Sequence, residues 1–145
     1  MTRFNLLAGA VVAACLILPG SPARAAEALG LSHPARVETI TKDGATIKKV
    51  TLTPKAAERL GIQIDEVRVD SLGRRIVPYS SILYDLTGGT FVYVHTDPIT
   101  FARETVKIDA IKGDNAYLND GPPPGTKVLA IGVPQIFGIE VGVGH

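Results

Sequence analysis

The chain has 145 residues with 15 basic and 14 acidic side chains, one cysteine and no tryptophan; this suits one small domain and excludes a large multidomain enzyme. Without its first 25 residues, which carry Arg3 and Arg24 and no acid, the balance is 13 basic groups against 14 acidic ones. Neither figure marks a nucleic-acid partner.

Residues 1–25 read as an export signal. Arg3 stands near the amino end, an apolar run covers residues 6–18, and Pro19-Gly20-Ser21-Pro22 leads to the small-residue site Ala23-Arg24-Ala25. Cleavage is expected before Ala26, leaving a periplasmic chain, because 13 apolar residues fall short of the roughly 20 that span a bilayer. Val12-Ala13-Ala14-Cys15 also resembles a lipoprotein processing site, so lipidation at Cys15 is the alternative. If Cys15 is removed with the signal, the mature chain has no thiol for a disulfide or a thiolate metal site.

Residues 26–45, with Gly30, Pro34, Asp43 and Gly44, read as an irregular arm. Residues 46–71 read as strand, helix, strand. Residues 46–52 alternate weakly, and TPKAAERLG then has Thr53 as cap, Pro54 for the first helical position and Gly61 for a left-handed stop. IQIDEVRV continues extended, with a phase change between Ile64 and Val67.

Residues 72–145 carry almost wholly β signals. A strand over residues 74–84 is bulged or broken at Pro78, which lacks a ladder donor. Gly88-Gly89 turns it into a partner strand over residues 90–95. Residues 101–111 follow with Val106, Ile108 and Ala110 on one face, then residues 116–118, then the proline loop NDGPPPGT, then residues 127–131. The tail FGIEVGVGH reads as a last strand with Ile139, Val141 and Val143 on one face. Short strands at close spacing with glycine turns predict a mainly β protein, a small barrel or roll of SH3-like size with one short helix.

No catalytic constellation emerges. The histidines are His33, His95 and His145, none accompanied by a nucleophile motif. There is no HxH, HxxxH or CxxC spacing, and Met1 is the single methionine. Asp109, Asp114, Asn115, Asn119 and Asp120 lack the alternation and terminal glutamate of a calcium loop and read as turn residues. Gly88-Gly89 belongs to no phosphate loop, and Lys48-Lys49 and Arg74-Arg75 are pairs suited to solvated strand faces. Tyr79, Tyr84 and Tyr93 read as cross-strand packing residues, with a binding platform as the functional alternative. No catalytic residue, cofactor or metal site is therefore expected.

Three stretches carry a resemblance. LTPKAAERLGIQIDEV (residues 52–67), IVPYSSILYDLTGGTFVYV (residues 76–94) and VKIDAIKGDNAYLNDGPPPGTKVLAIG (residues 106–132) occur in order. Together they resemble periplasmic adaptor subunits, also called membrane fusion proteins, of RND-type efflux systems. The second and third stretches look like that family's membrane-proximal module. The resemblance implies a non-enzymatic scaffold whose partner is an inner-membrane RND-type transporter or a full-length adaptor subunit, with membrane association through that partner. The helical hairpin and the lipoyl-like domain are expected to be missing, since residues 26–45 leave them little room, and most of the linking barrel too, since Val67 is followed within ten residues by the Val77-Pro78 strand. Partner contacts are expected on two loops, at Asp85, Thr87, Gly88 and Gly89 and at Pro122, Pro123, Pro124 and Gly125. The alternative is a stand-alone periplasmic module for a hard metal ion or small ligand, with Asp109, Asp114 and Asp120 as ligands.

Overall fold

A computed structural model describes residues 33–143. The export signal, Cys15 and His145 lie outside the described residues.

The chain forms β1 (Ala35–Lys42), β2 (Ala45–Leu52), α1 (Pro54–Arg59), β3 (Gln63–Glu66), β4 (Arg68–Val69) and β5 (Arg75–Pro78). A single 3-10 turn (Tyr79–Ser81) then leads to β6 (Leu83–Tyr84), β7 (Thr90–Asp97), β8 (Thr100–Thr105), β9 (Lys107–Lys112), β10 (Asn115–Asp120), β11 (Lys127–Ile131) and α2 (Val133–Val141). The larger, seven-stranded sheet runs β1-β2-β8-β7-β11-β3 with β6 added against β7, and the smaller runs β4-β5-β10-β9. The fold is mainly β.

Alternation along β7 explains the layering, because successive side chains of a strand point to opposite faces. Tyr93 enters a core with Val50, Leu52, Leu83, Phe101, Leu129, Val133 and Ile136, against which the α1 residues Ala56 and Ala57 and the α2 residues Phe137 and Ile139 also pack. Val92 enters a second core with Val67, Val77, Ile82, Val106, Ala116, Leu118 and Val128. β11 divides its neighbours Val128 and Leu129 in the same way. The seven-stranded sheet is thus covered by helices on one face and by the smaller sheet on the other.

The chain passes between sheets at buried apolar residues. Val106 separates β8 from β9; its N–H donates to the Thr90 carbonyl at 2.9 Å and its carbonyl accepts from Thr90 Oγ1 at 2.6 Å. Val67 separates β3 from β4, its N–H bonded to the Thr126 carbonyl and its carbonyl to the Gly125 N–H. Each crossing residue therefore buries its side chain while its backbone polar groups stay paired. The phase change read near Ile64 and Val67 is the second of these crossings: Val67 is buried while Ile64 and Val69 are exposed.

Several expectations hold in detail. Thr53 Oγ1 caps α1 by accepting from the Ala56 N–H at 3.2 Å, Pro54 begins the helix, and Gly61 follows with φ +60°. Pro78 ends β5. Of the face expected from Val106, Ile108 and Ala110, Val106 and Ile108 pack in one core, but a bulge in the β9–β10 register sets Ile108 opposite Leu118 and Ala110 opposite its neighbour Tyr117, so Ala110 leaves that face.

Other expectations need correction. Residues 35–42, read as part of an irregular arm, form β1 and pair over their whole length with β2. The tail read as a last strand is the helix α2, begun after Gly132, with Pro134 in its first turn and ended by Gly142 at φ +80°. The stretch read as one strand over residues 101–111 is two strands in different sheets. The sheets are not closed into a barrel: β1 and β3 end one sheet and β4 and β9 the other. Among these edges β3 and β4 are short, and β9 carries Lys107 and Lys112, devices that protect open edges without closure.

Candidate functional site

Loop 85–89 is a tight cap on the β6–β7 hairpin. Asp85 Oδ1 accepts from the Thr87 N–H at 2.9 Å, the Thr87 hydroxyl at 2.7 Å and the Gly89 N–H at 2.8 Å. Its backbone N–H donates to the Gly89 carbonyl and its carbonyl accepts from the Gly88 N–H. The Thr87 hydroxyl and the Gly89 N–H hold the Asp85 carboxyl below its usual range. Glycine is required at 89, where a Cβ would stand 2.6 Å from Phe91 Cε2. Asp85 thus positions the loop, and the large apolar side chain that projects from it is Leu86, with 103% relative exposure.

Behind the loop lies a polar network. Arg103 Nη2 reaches Asp85 Oδ2 at 3.3 Å, and the guanidinium stands 3.9 Å over the Phe91 ring centroid. Arg103 Nη1 donates to Glu140 Oε1 at 2.8 Å, and the Tyr93 hydroxyl donates to Glu140 Oε2 at 2.6 Å. Lys48 Nζ lies 4.0 Å from the same carboxylate, whose side chain is fully buried. Burial and the neighbouring Glu140 push the Tyr93 hydroxyl far above its ordinary pKa, so Tyr93 acts as a donor. The network ties α2, β7 and β8 to the hairpin tip.

The second loop is built differently. Pro122 is buried; Pro123, Pro124 and Gly125 are exposed. The Gly125 N–H donates to the Val67 carbonyl at 2.8 Å, and the Thr126 N–H to the Pro123 carbonyl at 3.2 Å. Pro124 borders a shallow depression of about 350 Å³ with Gly73, Arg74, Arg75, Leu118 and Asn119. Arg74 is already engaged: Nη2 lies 2.7 Å from Asp70 Oδ2, Nη1 lies 3.8 Å from Asp109 Oδ2, and the guanidinium covers Tyr117 at 4.7 Å. Loop 85–89 caps a hairpin of the larger sheet, whereas loop 122–125 braces the crossing at Val67. No hydrogen bond joins the two loops among the described residues.

The acidic residues of the alternative reading do not converge. Asp109 engages Arg74 and accepts from Asn119 Nδ2 at 3.4 Å, and Asp120 Oδ1 accepts from the Gly121 N–H at 3.0 Å. Asp114 lies in the β9–β10 turn, where its carbonyl accepts from the Tyr79 N–H. Asp114 and Asp120 flank the length of β10, roughly 20 Å of extended chain. No cluster of three metal-ligating side chains occurs among the described residues.

The three tyrosines form no common platform, since Tyr93 is buried while Tyr79 and Tyr84 are exposed. His95 stacks at a tilt on Phe101 with ring centroids 5.6 Å apart. Sequence reasoning missed Leu86, Arg103 and Glu140. Leu86 was the one apolar residue inside a turn of Asp, Thr and Gly, and Glu140 the one charge in an apolar tail; both oddities were available signals.

Compared with protein-family models, curated proteins and solved structures, the chain matches none. The fold and loops define a small two-sheet β protein that presents a braced, leucine-tipped hairpin.

Proposed function

We propose that this chain is a non-enzymatic periplasmic accessory protein, similar to the pump-facing end of an RND efflux adaptor, that acts in export by protein-protein contact. The observation that carries the reading is the ordered resemblance of residues 52–67, 76–94 and 106–132 to adaptor segments, above all the stretch 76–94. In the fold that stretch supplies Val77, Ile82 and Val92 to one core and Leu83 and Tyr93 to the other. Its most exposed large apolar group is Leu86, ahead of Tyr79 and Tyr84. A rigid loop with an exposed leucine suits a contact surface, because a preorganised anchor loses little entropy on docking. The partner is an inner-membrane RND-type transporter or a full-length adaptor, and membrane association runs through it.

Affinity capture of the tagged full chain from gently crosslinked periplasmic and membrane extracts tests the proposal. Recovery of a transporter or adaptor subunit is expected, and Leu86→Asp should reduce it by about tenfold, as loss of a buried interface anchor does. Recovery of neither protein rejects the reading.

A further inference from the structure

The β1–β2 hairpin has an edge that no described strand occupies and whose chemistry matches itself. Asp43 at φ +51° and Gly44 at φ +79° form a two-residue turn that pairs Lys42 with Ala45. Which backbone groups face outward follows from two hydrogen bonds at the other end: the Leu52 N–H donates to Ile99 on the β8 side, and the Thr53 N–H to Pro34 on the β1 side. Odd-numbered residues of β2 therefore bond β1, and by the register the even-numbered residues of β1 bond β2. Ala35, Val37, Thr39 and Thr41 direct their N–H and C=O groups away from β2, where no described strand pairs with them.

The distal half of the hairpin also extends past its sheet. β8 pairs with β2 at Lys49, Val50 and Thr51, so residues 45–48 pair with β1 alone.

We infer that β1 is a self-association edge, pairing antiparallel with β1 of a second copy about a two-fold axis at Ile40. Outward groups must meet outward groups, which restricts symmetric pairings to registers that place odd residues opposite odd ones. Centred on Thr39, such a pairing sets Arg36 against Lys42; centred on Glu38, it sets Glu38 against itself. Centred on Ile40, it sets Thr39 opposite Thr41 as hydrogen-bonded pairs, Glu38 opposite Lys42 twice, and Ile40 opposite Ile40. A pairing centred on Val37 sets Arg36 opposite Glu38, which already form an ion pair within the strand at 3.1 Å, so it brings no further opposite charge into contact. Charge complementarity selects Ile40, where Lys42 is the added partner of Glu38. The contact is small, so the association is weak and concentration-dependent.

Sedimentation equilibrium of the full chain over a range of concentrations tests this. Glu38→Lys should weaken the dimer by about tenfold, because two attractive cross-strand pairs become repulsive, and Glu38→Lys with Lys42→Glu should restore it. Thr41→Pro should abolish it with an unchanged circular dichroism spectrum, since the N–H removed points outward. With Cys15→Ser, Ile40→Cys should oxidise to a disulfide dimer, the two Cα atoms standing about 4.5 Å apart. A chain that stays monomeric up to about 1 mM, crosslinking at Val37→Cys but not Ile40→Cys, or occupation of the edge solely by an extended peptide of another protein would each overturn the inference.

Discussion

Unpairing Glu140 should cost more stability than any other single charge change in the described fold. Its carboxylate is fully buried, takes hydrogen bonds from Tyr93 at 2.6 Å and Arg103 at 2.8 Å, and joins α2 to β7 and β8. Glu140→Ala removes both acceptors and leaves the Tyr93 hydroxyl and one arm of Arg103 facing a cavity. Breaking a buried pair in this way costs about 3–5 kcal/mol. Arg103 keeps 21% of its side chain exposed and retains Asp85, so the cost should lie near the lower figure, about 3 kcal/mol. Tyr93→Phe removes one charge-assisted hydrogen bond and should cost about 1.5–3 kcal/mol. Since both changes break the same bond, the double variant should lose about 1–2 kcal/mol less than the sum of the singles. Urea denaturation reads these values: with slopes of about 1–3 kcal/mol per molar, Glu140→Ala should lower the midpoint by at least about 1 M. A loss below about 1 kcal/mol, or strict additivity, would refute the reasoning and reduce the network to a surface ion pair.

The Asp85 and Asp70 carboxyls are both held below their ordinary value of 3.8, Asp85 chiefly by the Thr87 hydroxyl and Asp70 chiefly by the Arg74 N–H. Their contribution is complete above the unfolded value and is lost as pH falls through the depressed folded values, so the urea midpoint should decline below about pH 4. Asp85→Asn should flatten that decline, and an unchanged acid limb would contradict the assignment. Gly89→Ala should cost about 1–3 kcal/mol by driving a methyl group into Phe91, measurable as a lowered thermal midpoint. Phe101→Ala should cost about 3–5 kcal/mol in urea denaturation, whereas Leu86→Ala should change stability by less than about 0.5 kcal/mol while weakening partner capture.

Local signals were legible wherever a residue had one physical use. Thr53, Pro54 and Gly61 bounded a helix because cap, first-turn proline and left-handed stop each have a single structural explanation. Asp43-Gly44 is an equally strong hairpin signal, but beside Gly30 and Pro34 it reads as part of an irregular arm, which hides β1. The tail misled because isoleucine and valine at alternate positions imitate a strand; α2 is favoured instead by Pro134, by Gly142 and by the Glu140 contacts with Arg103 and Tyr93. Those contacts span 37 and 47 residues, a separation at which no local pattern operates. The division into two sheets was hidden for a related reason: Val67 and Val106 look like ordinary strand residues until the partners on either side are known. In the candidate site, Asp85 and the glycines read as a turn, but the large apolar group exposed on it is Leu86.

The proposed contact function stands most directly on what touches the hairpin tip inside the cell. A photoreactive side chain placed at Leu86 in the full chain, with the exposed Leu72 on the β4–β5 connection as a control, measures this by crosslinking followed by mass spectrometry. The account predicts an RND-type transporter or adaptor subunit crosslinked from position 86 and not from position 72. Products identical from both positions, or none containing such a subunit, would contradict it.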